Sequence, residues 1–246
     1  MATYDLLAPH YDAVTGDSST EVAFIDSIIR NALPRPVTLL EVACGTGGIL
    51  ASLAGTYRVT GLDISPGMLA VARGKLPAGT PLHVADMSCF ELDAKFDAII
   101  CVYHGINHLV EFPSWTGFFD CACGHLNDGG VLVFDIITID TLKMMTGSPE
   151  MVQQFDGHSL HLTVRAAGES VFDWDIKVLA AQRDGRREVL TEVIRTASFP
   201  PEEIRNALSE RFAGIEIIES DGGVGGDGEN RIWFVCTMPR STPQNI

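Results

Sequence analysis

Apolar residues recur along this chain with two periods. Val22, Ile25, Ile28 and Ile29 fall at helical intervals, and Pro34 and Pro36 end the pattern. Ser18 and Glu21, just ahead of it, have capping-box spacing. The continuous apolar run Val37 to Val42 predicts a buried strand. Ile49, Leu50 and Leu53 predict a helix, and Val59 to Ile64 a strand. Ser65-Pro66 starts a helix, Ser65 as cap and Pro66 in the first turn, with Met68, Leu69 and Ala72 as its apolar stripe. Further strands are predicted over Leu82 to Ala85 and Phe96 to Val102, and a helix over Trp115 to Leu126. Asn127-Asp128-Gly129-Gly130 predicts a turn into a strand from Val131 to Ile137. Strands alternating with helices imply a parallel sheet, with ligands at the strands' carboxyl ends.

From about Leu160 the period becomes two: Leu160, Leu162 and Val164, then Phe172, Trp174, Ile176 and Val178, then Val189, Thr191 and Val193. Antiparallel strands with one buried face produce this alternation. They precede a helix over Pro201 to Phe212 and two closing strands, Gly214 to Glu219 and Arg231 to Thr237. The chain therefore reads as one domain, 1–246, carrying an antiparallel insertion over 138–198. A lid and a homodimer contact both fit that insertion. The glycine-rich stretch Gly222 to Gly228 reads as a flexible hairpin link.

A length of 246 residues, 46% of them hydrophobic, suffices for one sizeable core. The formal net charge of −15 repels nucleic-acid phosphates and anionic lipid, and no basic patch offsets it. The start of the chain lacks a secretory layout, and no apolar run reaches the roughly 20 residues that span a bilayer. A soluble, cytoplasmic protein is expected, with no membrane or nucleic-acid partner. The six cysteines fit reduced thiols rather than a disulfide frame, and Cys121-x-Cys123 lacks the second pair a zinc site needs.

The chemistry concentrates where the first strand meets its turn, Leu39-Leu-Glu-Val-Ala-Cys-Gly-Thr-Gly-Gly48. Asp63 ends the next strand 18 residues after Gly45. A carboxylate at that remove can bond the hydroxyls of a nucleoside whose other end rests on the glycine turn. Nicotinamide, flavin and S-adenosylmethionine proteins all use a Gly-x-Gly turn. Here leucine, at position 50, stands where a dinucleotide site needs its third small residue. Glu41, entering the turn, would repel a diphosphate yet suits the ammonium of a methionine moiety. Asp86-Met87, after the third strand, offers an acceptor for an adenine amino group and an apolar face for its ring.

Glu41-Val-Ala-Cys-Gly-Thr-Gly47, Gly61-Leu-Asp-Ile-Ser65 with Met68-Leu69, Ala85-Asp86-Met87 and Phe96-Asp97-Ala98-Ile99-Ile100-Cys101 together resemble the class I S-adenosylmethionine-dependent methyltransferase family. The match runs in order from residue 1 to about 137, and its opening Tyr4-Asp5…Tyr11-Asp12 is similar to the family's N-terminal segment. Cys101-Val-Tyr-His-Gly-Ile-Asn-His-Leu109, Phe134-Asp-Ile-Ile-Thr138 and the insertion resemble aminosugar and glycine N-methyltransferases. The resemblance implies a Rossmann-like, doubly wound α/β fold: a seven-stranded, mostly parallel sheet with an antiparallel β insertion before the last helix–strand unit. It also implies an enzyme moving a methyl group from S-adenosylmethionine to a small-molecule acceptor, an amine.

Under that reading, Gly45 and Gly47 admit the methionine carboxylate to the backbone and the following helix N-terminus, with Ala43 and Thr46 completing the turn. Asp63 takes the ribose hydroxyls; Ile64 and Met68 flank the adenine; Asp86 and Met87 hold its edge and face. Cys101 approaches the methionyl part through its backbone, and the ring of Tyr11 faces the sulfonium. Tyr103, His104, Asn107 and His108 follow the fourth strand, beside the expected methyl position. His108 first and His104 second are the candidate proton acceptors, since an ordinary histidine titrates near neutrality. Asp135 is a candidate to orient a substrate amine. Transfer to oxygen, and a non-catalytic cofactor binder, remain as alternatives; a dehydrogenase ranks third.

Overall fold

The computed structural model describes residues 4–5, 7–181, 187–220 and 231–240. Its elements run α1 (Tyr11–Thr15), α2 (Ser19–Ala32), β1 (Thr38–Val42), α3 (Gly48–Leu53), β2 (Arg58–Asp63), α4 (Pro66–Lys75), β3 (Leu82–Val84), β4 (Phe96–Cys101), a 3₁₀ turn (Gly105–His108), α5 (Phe112–His125) and β5 (Leu126–Ile137). Then come α6 (Ile139–Thr146), β6 (Met151–Phe155), β7 (His158–Ala166), β8 (Val171–Ala181), β9 (Arg187–Ala197), α7 (Pro201–Ser209), β10 (Phe212–Ser220) and β11 (Arg231–Pro239).

Continuous apolar runs fold as central strands because each face of the sheet meets helices. Leu39, Ala98, Ile100 and Val131 point to one layer, where α2, α3 and α4 bring Ile25, Ile29, Leu50 and Leu69. Leu40, Ile99 and Leu132 point to the other, against Trp115, Phe118 and Phe119 of α5 and Ile204 and Leu208 of α7. The seven strands are ordered β10-β11-β5-β4-β1-β2-β3; β11 runs antiparallel to both β5 and β10, and the rest are parallel. Strand order reverses between β1 and β4, which opens a crevice at their carboxyl ends.

The insertion forms a second sheet, β6-β7-β8-β9, antiparallel throughout. Leu160, Leu162, Ile176, Val178 and Ile194 make its buried face, with Leu7 from the N-terminal segment among them. Asn107 ties this sheet to the core: its amide donates to the carbonyls of Ala197 (2.7 Å) and Ile137 (3.2 Å) and accepts from the Ile137 amide (3.1 Å).

Three local expectations are corrected. Ser18 precedes α2 without a side-chain capping bond, and Asp17 instead accepts from the Ser19 amide (3.0 Å) and hydroxyl (2.8 Å). The turn at Asn127 to Gly130 is absorbed into β5, where the register against β4 shifts between Phe96 and Ala98. The insertion also contains a helix, α6, and an edge strand, β6, that the alternation did not disclose, because β6 leaves Met151 and Val152 about half exposed. The link at 222–228 lies outside the described residues. Among the described residues no helix is long and apolar enough to cross a membrane.

Candidate active site

The turn after β1 is bent by three positive φ angles: Ala43 (55°), Gly45 (53°) and Gly47 (71°). At Ala43 this conformation is strained by about 1–3 kcal/mol, a feature that clusters at functional sites. At Gly45 the space a Cβ would take is open, whereas at Gly47 a Cβ would sit 3.1 Å from that of Ala72 on α4. Gly45 therefore faces outward, and Gly47 lets α3 and its turn pack against α4.

Asp63, at the end of β2, fixes this turn from the side. Its Oδ2 accepts from the Gly45 amide (2.7 Å) and its Oδ1 from the Ser65 amide (2.8 Å). Each oxygen retains acceptor capacity for a ligand hydroxyl. Burial raises the Asp63 pKa against the pull of those amides. Glu41 is more deeply buried; its Oε2 has no hydrogen-bond partner among the described residues. Burial first, and the Asp63 charge second, push its carboxyl well above the usual range. A buried acid with an orphaned oxygen is what a ligand cation would satisfy.

These groups open into one cavity of about 300 Å³. Ala43, Gly45 and Thr46 form its turn side, with Glu41 and Asp63 beside them. Ile64, Met68, Asp86 and Met87 form the far wall, where Ile64 is exposed at the mouth. Both bonds that Asp86 accepts from Ser88, from the amide at 2.8 Å and the hydroxyl at 2.7 Å, fall on Oδ1. Tyr11 covers the cavity from the N-terminal segment, and His108 closes the end near the insertion.

Four sequence candidates lie off this wall. Gly47 is turned into the α4 contact. Cys101 is fully buried, its sulfur packed at Gly105, so the neighbouring Val102 takes the lining position. His104 sits behind the wall with φ 58°; its amide donates to Asp135 Oδ1 (3.2 Å) and its Nε2 lies 3.3 Å from Asp135 Oδ2. Burial, then Arg231 and His108, hold the His104 pKa well below 6.5, and its Nε2 is turned to Asp135. Asp135 is itself fully buried inside β5, with Arg231 Nη1 4.0 Å from its Oδ2. It braces the wall rather than meeting a substrate.

The sequence reading missed the depth of the N-terminal clamp. Asp12 accepts from the Thr46 hydroxyl (2.6 Å) and pairs with Lys75, while Asp5 accepts from the Ser65 hydroxyl and from the Gly67 amide (3.2 Å). The segment thus grips both the glycine turn and the start of α4. Tyr4 also lines the cavity, its hydroxyl 3.3 Å from His108 Nε2 and its ring edge-on to Tyr11. The paired Tyr-Asp dipeptides were the available signal, but nothing in their spacing shows what they touch.

Comparison with known proteins agrees with this geometry. Residues 39–130 match the family model described as a methyltransferase domain. A dTDP-3-amino-3,6-dideoxy-α-D-glucopyranose N,N-dimethyltransferase of Streptomyces fradiae is 35% identical over 120 residues, 48% of this chain and 47% of that protein. A Streptomyces venezuelae enzyme named for the 3-amino-3,4,6-trideoxy sugar is 34% identical over 120 residues, 48% of this chain and 50% of that protein. The chain thus matches over about half the length of these curated relatives. A solved amino pentose methyltransferase from Micromonospora echinaspora, with S-adenosylmethionine bound, superposes with a TM-score of 0.77 at 28% identity, over 97% of each chain.

Residues 39–130 thus match a methyltransferase domain, and the chain as a whole shares its fold with a solved methyltransferase that binds S-adenosylmethionine.

Proposed function

We propose that the protein transfers a methyl group from S-adenosylmethionine to the amino group of a small acceptor, an amino sugar carried on a nucleotide. The observation that supports it most is the end of the cavity where the Tyr4 hydroxyl lies 3.3 Å from His108 Nε2. Burial lowers the His108 pKa to about 4, with the Arg195 backbone pulling weakly the other way. Near neutrality its ring is therefore uncharged, which corrects the expectation of a histidine titrating near neutrality. A neutral imidazole adds no repulsion beside a sulfonium, and it can accept a hydrogen bond that turns an amine's lone pair toward the methyl group.

The cofactor, when bound, supplies an electrophilic methyl on sulfur. Everything else is placement. Glu41 would hold the cofactor's ammonium and Asp63 its ribose hydroxyls, Gly45 leaves open space beside the turn, and Tyr11 and Tyr4 line the same cavity. Holding nucleophile and methyl in line can contribute on the order of 7–11 kcal/mol without a strong base. The dTDP-amino-sugar names of the curated relatives support the acceptor class. The net charge of −15 favours a soluble cytoplasmic enzyme on small metabolites over one on nucleic acid.

The test is mass spectrometry of the products formed from labelled S-adenosylmethionine and a dTDP-3-amino-3,6-dideoxy sugar. A gain of methyl on nitrogen is expected; label on a hydroxyl, or binding without transfer, would contradict the proposal. His108→Ala is expected to lower kcat by about 10²-fold with cofactor affinity retained, and an unchanged kcat would remove His108 from the reaction.

A further inference from the structure

Glu192 is out of place by pattern. It lies on β9 between Leu190 and Ile194, on the face that otherwise packs the apolar core of the second sheet, opposite Ile176. A carboxylate on such a face needs a partner to offset its desolvation. Its partner is not on the sheet: Glu192 Oε1 accepts from the backbone amide of Tyr4 at 2.6 Å.

Tyr4 itself holds an unusual conformation, with φ of 73°. For a tyrosine this left-handed backbone is strained and persists only when its surroundings over-determine it. Two restraints do so. On the carbonyl side, the Leu7 and Ala8 amides donate to the Tyr4 oxygen at 3.1 and 2.9 Å. On the amide side, the restraint is the charge-assisted bond to Glu192. In this conformation the side chain is sent into the cavity, its hydroxyl 3.3 Å from His108 Nε2 and its ring edge-on to the imidazole, centroids 5.3 Å apart.

We infer that Glu192 is a positioning residue through which the antiparallel insertion builds the acceptor end of the site: its carboxylate latches the N-terminal segment and so sets Tyr4 against His108. This rests on the methyl-transfer reading for its kinetic consequence, though the latch exists without it. The insertion then has a definite task, supplying no reacting group but fixing the wall against which the acceptor is held.

Two measurements test it. In cofactor-free protein, NMR titration of the His108 ring is expected to move from about 4 toward 6.5 in Glu192→Ala, as water replaces Tyr4. Glu192→Gln, which keeps an oxygen for the Tyr4 amide, is expected to stay close to the parent. A His108 transition unmoved in Glu192→Ala overturns the inference, whatever the acceptor proves to be. With the dTDP-amino sugar as probe, Tyr4→Phe and Glu192→Ala are each expected to lower kcat/KM on the order of tenfold, and the double variant no further. Additive losses, near a hundredfold, would mean that Glu192 does not act through Tyr4. Glu192→Thr, a strand-favouring residue too short for the bond, carries both tests if Glu192→Ala is unstable.

Discussion

Burial moves Glu41 and His108 in opposite directions, and both shifts favour the uncharged form in the ligand-free protein. Glu41 has its pKa raised well above 4.5, and the orphaned Oε2 makes its ionised form a cost to the ligand-free fold. Because the folded value lies above the unfolded one, the relative stabilisation is present at low pH and lost as pH rises through the folded value. Glu41→Gln is therefore expected to raise the melting temperature of the ligand-free protein at pH 7, with a smaller gain at pH 5. The same substitution is expected to weaken S-adenosylmethionine about tenfold or more by calorimetry, through loss of a charged hydrogen bond. A variant both less stable and equally tight would refute the assignment.

At the scale of elements, the order of strands and helices from β1 to β5 was readable because each central strand is a continuous apolar run closed by a turn or cap. Ser65 was legible as a cap and does accept from the Met68 amide, at 3.0 Å. Glu41, Gly45 and Asp63 were legible because one short segment and the next strand's end bring them together whatever the rest does. The edge strand β6 and helix α6 were not: β6 leaves Met151 and Val152 about half exposed, and the short α6 buries only Thr141 and Leu142. Nor were the places of His104 and His108: four residues apart, one falls behind the wall and the other on it, a difference set by the left-handed turn at Tyr103 and His104. Asn107, beside them, looked like site chemistry and is a buried staple between the 3₁₀ turn, β5 and β9. Asn107→Ala is expected to cost about 2–4 kcal/mol in denaturant unfolding, because it orphans backbone groups of Ile137 and Ala197. A loss below about 0.5 kcal/mol would show that the staple is not needed.

Over the whole molecule, one sheet supplies the cofactor's side of the cavity, and the N-terminal segment spans from it to the other. Asp12 meets Thr46 on the glycine turn, Asp5 meets α4, and Tyr4 meets Glu192 on the second sheet. The reversal of strand order at β1 and β4 explains why the binding groups converge at one rim. The functional reading of that rim depends on the cofactor meeting Asp63 and the Gly45 turn, which are joined to each other at 2.7 Å. The most direct measurement is calorimetric titration of S-adenosylhomocysteine into the parent protein and into Asp63→Ala. Saturable one-to-one binding is expected in the parent, weakened by about 10- to 150-fold in the variant, the loss of one or two charged hydrogen bonds. Equal affinity in the two proteins would contradict the account.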